Sequence, residues 1–79
     1  MKAIIIDDEL SGREVLKKLV QLNCPEVTVV NTLNAIETGL QSINEDKPDL
    51  VFLDIQMPNA SGFDLLNQID KIDFEIIFV

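Results

Sequence analysis

Two kinds of apolar pattern alternate along this chain. Lys2–Ile6 is a short, β-branched run halted by Asp7-Asp8-Glu9, which predicts a buried strand. Ser11-Gly12-Arg13-Glu14 has the form of a capping box, with Ser11 as N-cap and Glu14 at N3. Val15, Leu16, Leu19, Val20 and Leu22 follow at helical spacing, and Pro25 stands just beyond them. Val27–Val30 predicts a second strand. Asn34-Ala35-Ile36-Glu37 offers another N-cap with an acid at N3. Ile36, Leu40 and Ile43 then make one apolar stripe, ended by Lys47-Pro48. Gly39 inside that stripe costs the helix about 1 kcal/mol relative to alanine.

Asp49–Leu53 predicts a third strand, and Ile55 to Gly62 a loop broken by Pro58 and Gly62. Leu65, Leu66 and Ile69 mark a short helix, and Phe74–Val79 a fourth, almost wholly apolar strand. The order is βαβαβαβ with short connections, which implies an α/β fold with a parallel sheet and right-handed crossovers. There is no internal repeat, low-complexity segment or long linker. The chain ends inside an apolar strand. Such an edge invites pairing, so a domain continuing past Val79 is expected.

Composition narrows this picture. At 79 residues the chain is one domain or part of one. It is 47% hydrophobic but only 5% aromatic, an aliphatic balance that suits buried parallel strands. Fourteen acids against six bases give a net charge of −8. That leaves no basic footprint for nucleic acid on this segment and favours cation binding or plain solubility. A single cysteine, Cys24, excludes an intrachain disulfide and fits a reduced, cytoplasmic setting. It precedes Pro25 in an expected turn, where a structural thiol is the simplest reading. The apolar stretch Ala3–Ile6 is too short for a signal peptide. No run approaches the roughly 20 apolar residues that span a bilayer.

Charge at the strand ends carries the candidate chemistry. Asp7 and Asp8 close the first strand and Asp54 the third. In open parallel sheets, sites form outside the carboxyl ends of the strands. Neighbouring strands lie about 4.8 Å apart, so adjacency of strands one and three would bring these carboxylates together. Two unit charges about 4 Å apart repel by about 4 kcal/mol at an effective dielectric near 20. Either a proton or a cation would then sit among them. With no histidine in the chain, Mg²⁺ suits an all-oxygen set better than zinc or iron. A carboxylate beside Mg²⁺ can also attack a phosphoryl group. Two plainer readings stand beside this one. The acids are strand-end charges in water, or Asp7-Asp8-Glu9 supplies negative charge to the start of the next helix.

These residues also resemble a family. Ile4-Ile5-Ile6-Asp7-Asp8-Glu9, Pro48-Asp49-Leu50-Val51-Phe52-Leu53-Asp54-Ile55-Gln56-Met57-Pro58 and Gly62-Phe63-Asp64-Leu65-Leu66 are similar, in order and spacing, to the receiver domain of bacterial two-component response regulators. The resemblance implies a flavodoxin-like sheet of strand order 2-1-3-4. It implies Asp54 as phosphoacceptor from a sensor histidine kinase. It implies Mg²⁺ held by Asp8 directly, by Asp7 largely through water, by Asp54 and by the Gln56 backbone carbonyl. Glu9 is then a helix-start charge, and Met57, Pro58 and Gly62 shape the loop.

Such a domain is not an enzyme in the ordinary sense, though it assists its own aspartyl phosphorylation. Family members are longer and carry a Ser or Thr after strand four and a Lys after strand five. Both positions fall beyond Val79, so residues 1–79 read as a receiver truncated at its C-terminal end, without the fifth strand and last helices. The motif style resembles receivers attached to LytTR DNA-binding domains, with transcription regulated through that separate output. Two other functions are weighed. A Mg²⁺ phosphatase of the haloacid-dehalogenase type needs a second acid two residues after the nucleophile, where this chain has Gln56. A non-catalytic module would form a homo-oligomer by pairing or exchanging its last strand.

Overall fold

The β-branched run Lys2–Ile6 forms strand β1, with all but its first residue buried. Helix α1 spans Leu10–Asn23, strand β2 Thr28–Leu33, helix α2 Ile36–Asp46 and strand β3 Leu50–Leu53. Two-residue strands β4 (Gln56–Met57) and β5 (Ala60–Ser61) precede helix α3 (Gly62–Asn67) and strand β6 (Glu75–Phe78). These elements belong to a computed structural model of the chain. It describes residues 1–57, 60–69 and 72–79, with the backbone alone at 56, 57 and 60–64. Pro58, one of the expected loop-shaping residues, lies outside the described residues.

The four long strands are all parallel, in the order β2-β1-β3-β6. This is the expected 2-1-3-4 arrangement, with the small β4–β5 pair interposed. β1 and β3 occupy the centre in unbroken register, Ala3 opposite Leu50 through Ile6 opposite Leu53. Both are buried on both faces, which explains why their sequences run apolar without alternation. One face packs Ile4, Ile6, Val51 and Leu53 against Ile36 of α2 and Leu65 of α3. The other packs Ala3, Ile5, Leu50 and Phe52 against Val20 of α1, with Leu16 and Cys24 alongside.

Several boundaries differ from the sequence expectation, each for a local reason. Ser11 is not the N-cap of α1. The helix starts one residue before it, with Glu9 in the cap position and no side-chain cap bond. The Asp7 carboxylate, two residues upstream, accepts the Glu9 N–H at 3.0 Å, so the chain turns into helix before Ser11 is reached. Ala35 rather than Asn34 caps α2, also without a side-chain bond. β2 begins one residue later than expected and runs to Leu33. It carries a register shift in which Val30 is the extra residue, since Ala3 faces Val29 and Ile4 faces Asn31. The expected loop holds the antiparallel β4–β5 pair, and α3 starts at Gly62. Lys47 ends α2 in the left-handed region at φ 47°, so the Lys47-Pro48 stop works through backbone conformation.

The apolar stripe of α1 is wider than the core can seat. Leu16 and Val20 pack inward, whereas Val15, Leu19 and Leu22 are 58%, 52% and 81% exposed. Ile77, paired with Phe52 in the ladder, is also largely exposed. Among the described residues nothing covers β6 on the α1 side. The described helices include none long and apolar enough to cross a membrane.

Gly39 has a packing reason for its place in α2. A Cβ there would lie 2.6 Å from Ile6 Cδ1 and 3.4 Å from Leu65 Cδ1. Overpacking costs about 1–3 kcal/mol against about 1 kcal/mol of helix propensity regained. The expected outcome of Gly39→Ala is therefore a net loss on the order of 1 kcal/mol, read from its urea midpoint.

The far end of α2 is tied by a polar network. The buried Ser42 hydroxyl donates to Asp46 Oδ2 at 2.5 Å, and the Asn31 amide reaches the same oxygen at 3.4 Å. Lys2 Nζ donates to the Asp46 carbonyl. The Ser42 bond, then the Asn31 bond, and finally the Lys2 charge hold the Asp46 carboxyl below its ordinary value of 3.8. A lowered folded-state value stabilises the protein above 3.8, and that contribution is lost as pH falls through the folded value. Ser42→Ala should thus lower the melting temperature at pH 7. The gap to wild type should narrow in melts below pH 3.8.

Candidate functional site

The central ladder determines where the acids stand. The Asp54 N–H donates to the Ile6 carbonyl at 2.9 Å, and the Asp7 N–H to the Leu33 carbonyl at 2.9 Å. Asp7 and Asp54 therefore continue adjacent strands by one residue and emerge at the same edge of the sheet. Asp8 follows directly into the turn before α1. Carboxylate oxygens of Asp7, Asp8 and Asp54 all lie within 4.8 Å of one another, each residue half-buried. The expected adjacency of strands one and three, and the convergence it implies, are both present.

That convergence has an electrostatic cost. At 4.8 Å each pair of ionised carboxylates repels by about 3–4 kcal/mol at an effective dielectric near 20. A divalent cation among them reverses the sign. The donors are all carboxylate oxygens, a hard-ligand set that fits Mg²⁺ and offers nothing to a softer metal. Gln56 sits two residues past Asp54 as the first residue of β4, opposite Ser61.

The turn carrying Asp7 and Asp8 is fastened at several points. Asp7 Oδ1 accepts the Glu9 N–H. Arg13 Nη1 donates to the Asp7 carbonyl at 2.7 Å, and the Arg13 N–H donates to the Glu9 carbonyl at 3.1 Å. Gly12 lies against the Asp7 carboxylate, where a Cβ would sit 2.7 Å from Oδ2. In the sequence, Gly12 and Arg13 read only as the middle of a capping box. The one signal available was a glycine early in a helix, which propensity disfavours.

Cavities do not mark this site by size. A cavity of about 520 Å³ lies at the opposite end of the strands, between Leu40, Ile43, Pro48, Ile69 and Phe74. A shallower groove of about 430 Å³ runs from Asp7 and Gly12 along Val15 and Leu19 to Val79. The converging carboxylates of Asp7, Asp8 and Asp54 are each half-buried.

The chain as a whole is similar to known proteins. The model of the response regulator receiver domain matches residues 3–79. The chain belongs to the receiver domain family. An uncharacterized response regulatory protein of Vibrio cholerae is 45% identical over 80 residues, covering 100% of this chain and 33% of its own length. The sensory transduction protein LytT of Bacillus anthracis is 35% identical, covering 91% of this chain and 29% of its own. The response regulator domain of Thermotoga maritima CheB superposes with a TM-score of 0.88 at 29% identity, over 99% of this chain and 58% of that one. This receiver segment thus spans about a third of the curated relatives it matches.

Proposed function

We propose that this receiver domain accepts a phosphoryl group on Asp54 from the phosphohistidine of a sensor histidine kinase. Asp7, Asp8, Asp54 and the Gln56 backbone carbonyl would hold Mg²⁺. The observation that carries this reading is the meeting of three carboxylates at the carboxyl ends of β1 and β3 in a chain of the receiver family. A carboxylate oxygen of Asp54 attacks phosphorus. An O–P bond forms, the N–P bond to the imidazole breaks, and its electron pair stays on the ring nitrogen. Bound Mg²⁺ supplies neutralisation of the carboxylates and of the phosphoryl oxygens. Asp54 is held for attack by its ladder bond to Ile6. On this reading the domain assists its own modification and signals by it.

The match to about a third of longer proteins such as the sensory transduction protein LytT supports a separate output outside residues 1–79. On the LytTR-like motif style that output would bind DNA, and phosphorylation would regulate transcription through it. A cytoplasmic location fits that role.

A second reading concerns self-association. β6 is the sheet's edge, and Ile77, Phe78 and Val79 are 44%, 41% and 51% exposed. An apolar edge strand pairs with or exchanges for its counterpart in a second copy, making a homo-oligomer of residues 1–79.

Incubation with acetyl phosphate and Mg²⁺ should add the mass of one phosphoryl group. Chelation or Asp54→Asn should abolish that gain, and a gain persisting in Asp54→Asn would remove Asp54 from its role. Light scattering after size exclusion should show a species heavier than the 8.9 kDa monomer. A monomer at high concentration counts against the self-association reading alone.

A further inference from the structure

We propose that Gly12 and Arg13 are positioning residues that set the Asp7–Asp8 turn for a divalent cation, an inference that rests on the cation site proposed above. The Arg13 guanidinium ties that turn by donating to the Asp7 carbonyl at 2.7 Å. Its backbone N–H makes only the ordinary first-turn helix bond, to the Glu9 carbonyl at 3.1 Å. Asp8 follows directly on the tied residue. A charge-assisted bond to a carbonyl is stronger than a neutral one, and Arg13 is half-buried, so the tie is partly shielded from water.

What the guanidinium leaves alone matters as much. A cation next to three acids would ordinarily pair with one of them. Here the guanidinium goes to a main-chain oxygen. The Asp7 carboxylate is held instead by the Glu9 amide, through Oδ1. Arg13 thus fastens the turn through its main chain, while the Asp7 carboxylate is held by the Glu9 amide.

Gly12 supplies the remaining constraint. A Cβ there would stand 2.7 Å from Asp7 Oδ2, closer than real Cβ contacts come. Since Oδ1 is held by the Glu9 amide, the carboxylate cannot swing away without breaking that bond. Gly12 is therefore required by the position of a carboxylate, even though alanine would suit the helix better.

Charge separates positioning from simple electrostatics. Removing a positive charge beside an acidic site should tighten cation binding through space. Removing a positioning residue should weaken it. Calorimetric titration of residues 1–79 with Mg²⁺ at fixed ionic strength would compare wild type with Gly12→Ala, Arg13→Met and Arg13→Lys. Melts of each variant in chelator would run alongside. Loss of a residue that orients metal ligands costs about 10- to 100-fold in affinity, and a weakening of about tenfold is expected for Gly12→Ala and Arg13→Met. Arg13→Lys, which keeps charge and a donor, should recover part of it. Each affinity is measured at a temperature where the chelator melt shows the variant fully folded, so that weakened binding is read apart from any loss of stability. Unchanged affinity in Gly12→Ala, or tighter binding by Arg13→Met, overturns the proposal. If Arg13→Met fails to fold, Gly12→Ala decides alone. A wild type indifferent to Mg²⁺ would instead overturn the cation site itself, and this inference with it.

Discussion

The parallel register of β1 against β3 is the constraint on which the rest of the molecule depends. Ile6 faces Leu53, so the residue after each lies at one edge of the sheet, and both are aspartates. Side chains alternate faces along a strand. A slip of one residue would therefore bury a different set of aliphatic groups and carry Asp54 away from Asp7. The core and the acidic cluster are specified by one alignment. The fold cannot relax the repulsion among the acids by sliding, because Ile4, Ile6, Val51 and Leu53 would leave their places under α2 and α3.

Much of this was legible in the sequence because buried parallel strands write plainly. Ala3–Ile6 and Leu50–Leu53 can hardly be anything else, and each ends on the acids that matter. The helix starts were less legible. Ser11 and Asn34 are the right residue types for caps, but the Asp7 carboxylate engages the Glu9 amide first, a contact formed by a strand-end residue outside the helix pattern. The extent of β2 was also hidden. Thr28–Leu33 is polar in part and lies on the sheet's other edge, so its exposed positions blur the alternation that would betray a strand.

The surroundings of the site were the least legible part. A glycine early in a helix and an arginine next to it look like ordinary surface residues. Their meaning depends on a 2.7 Å bond and on a carboxylate placed where a Cβ would stand 2.7 Å away, and neither leaves a periodic trace. The same holds for Ser42 and Asp46, whose i, i+4 spacing allows the bond but does not announce it. α1 shows the converse. Its apolar residues at helical spacing suggest one buried face, and only Leu16 and Val20 pack into the core. Periodicity reports that a face is apolar, not that this chain alone covers it.

The register shift at Val30 gives the sheet an uneven tolerance of length. β2 places six residues beside the five of β1, and Val30 has no partner in that ladder. Losing that one residue would leave every β1–β2 pairing as it is, including the bond from Asp7 to Leu33. β1 and β3 have no such slack, since any insertion or deletion there moves an aspartate off its neighbour. The outer strand can therefore drift in length over evolutionary time, while the two strands that present the acids are fixed to the residue.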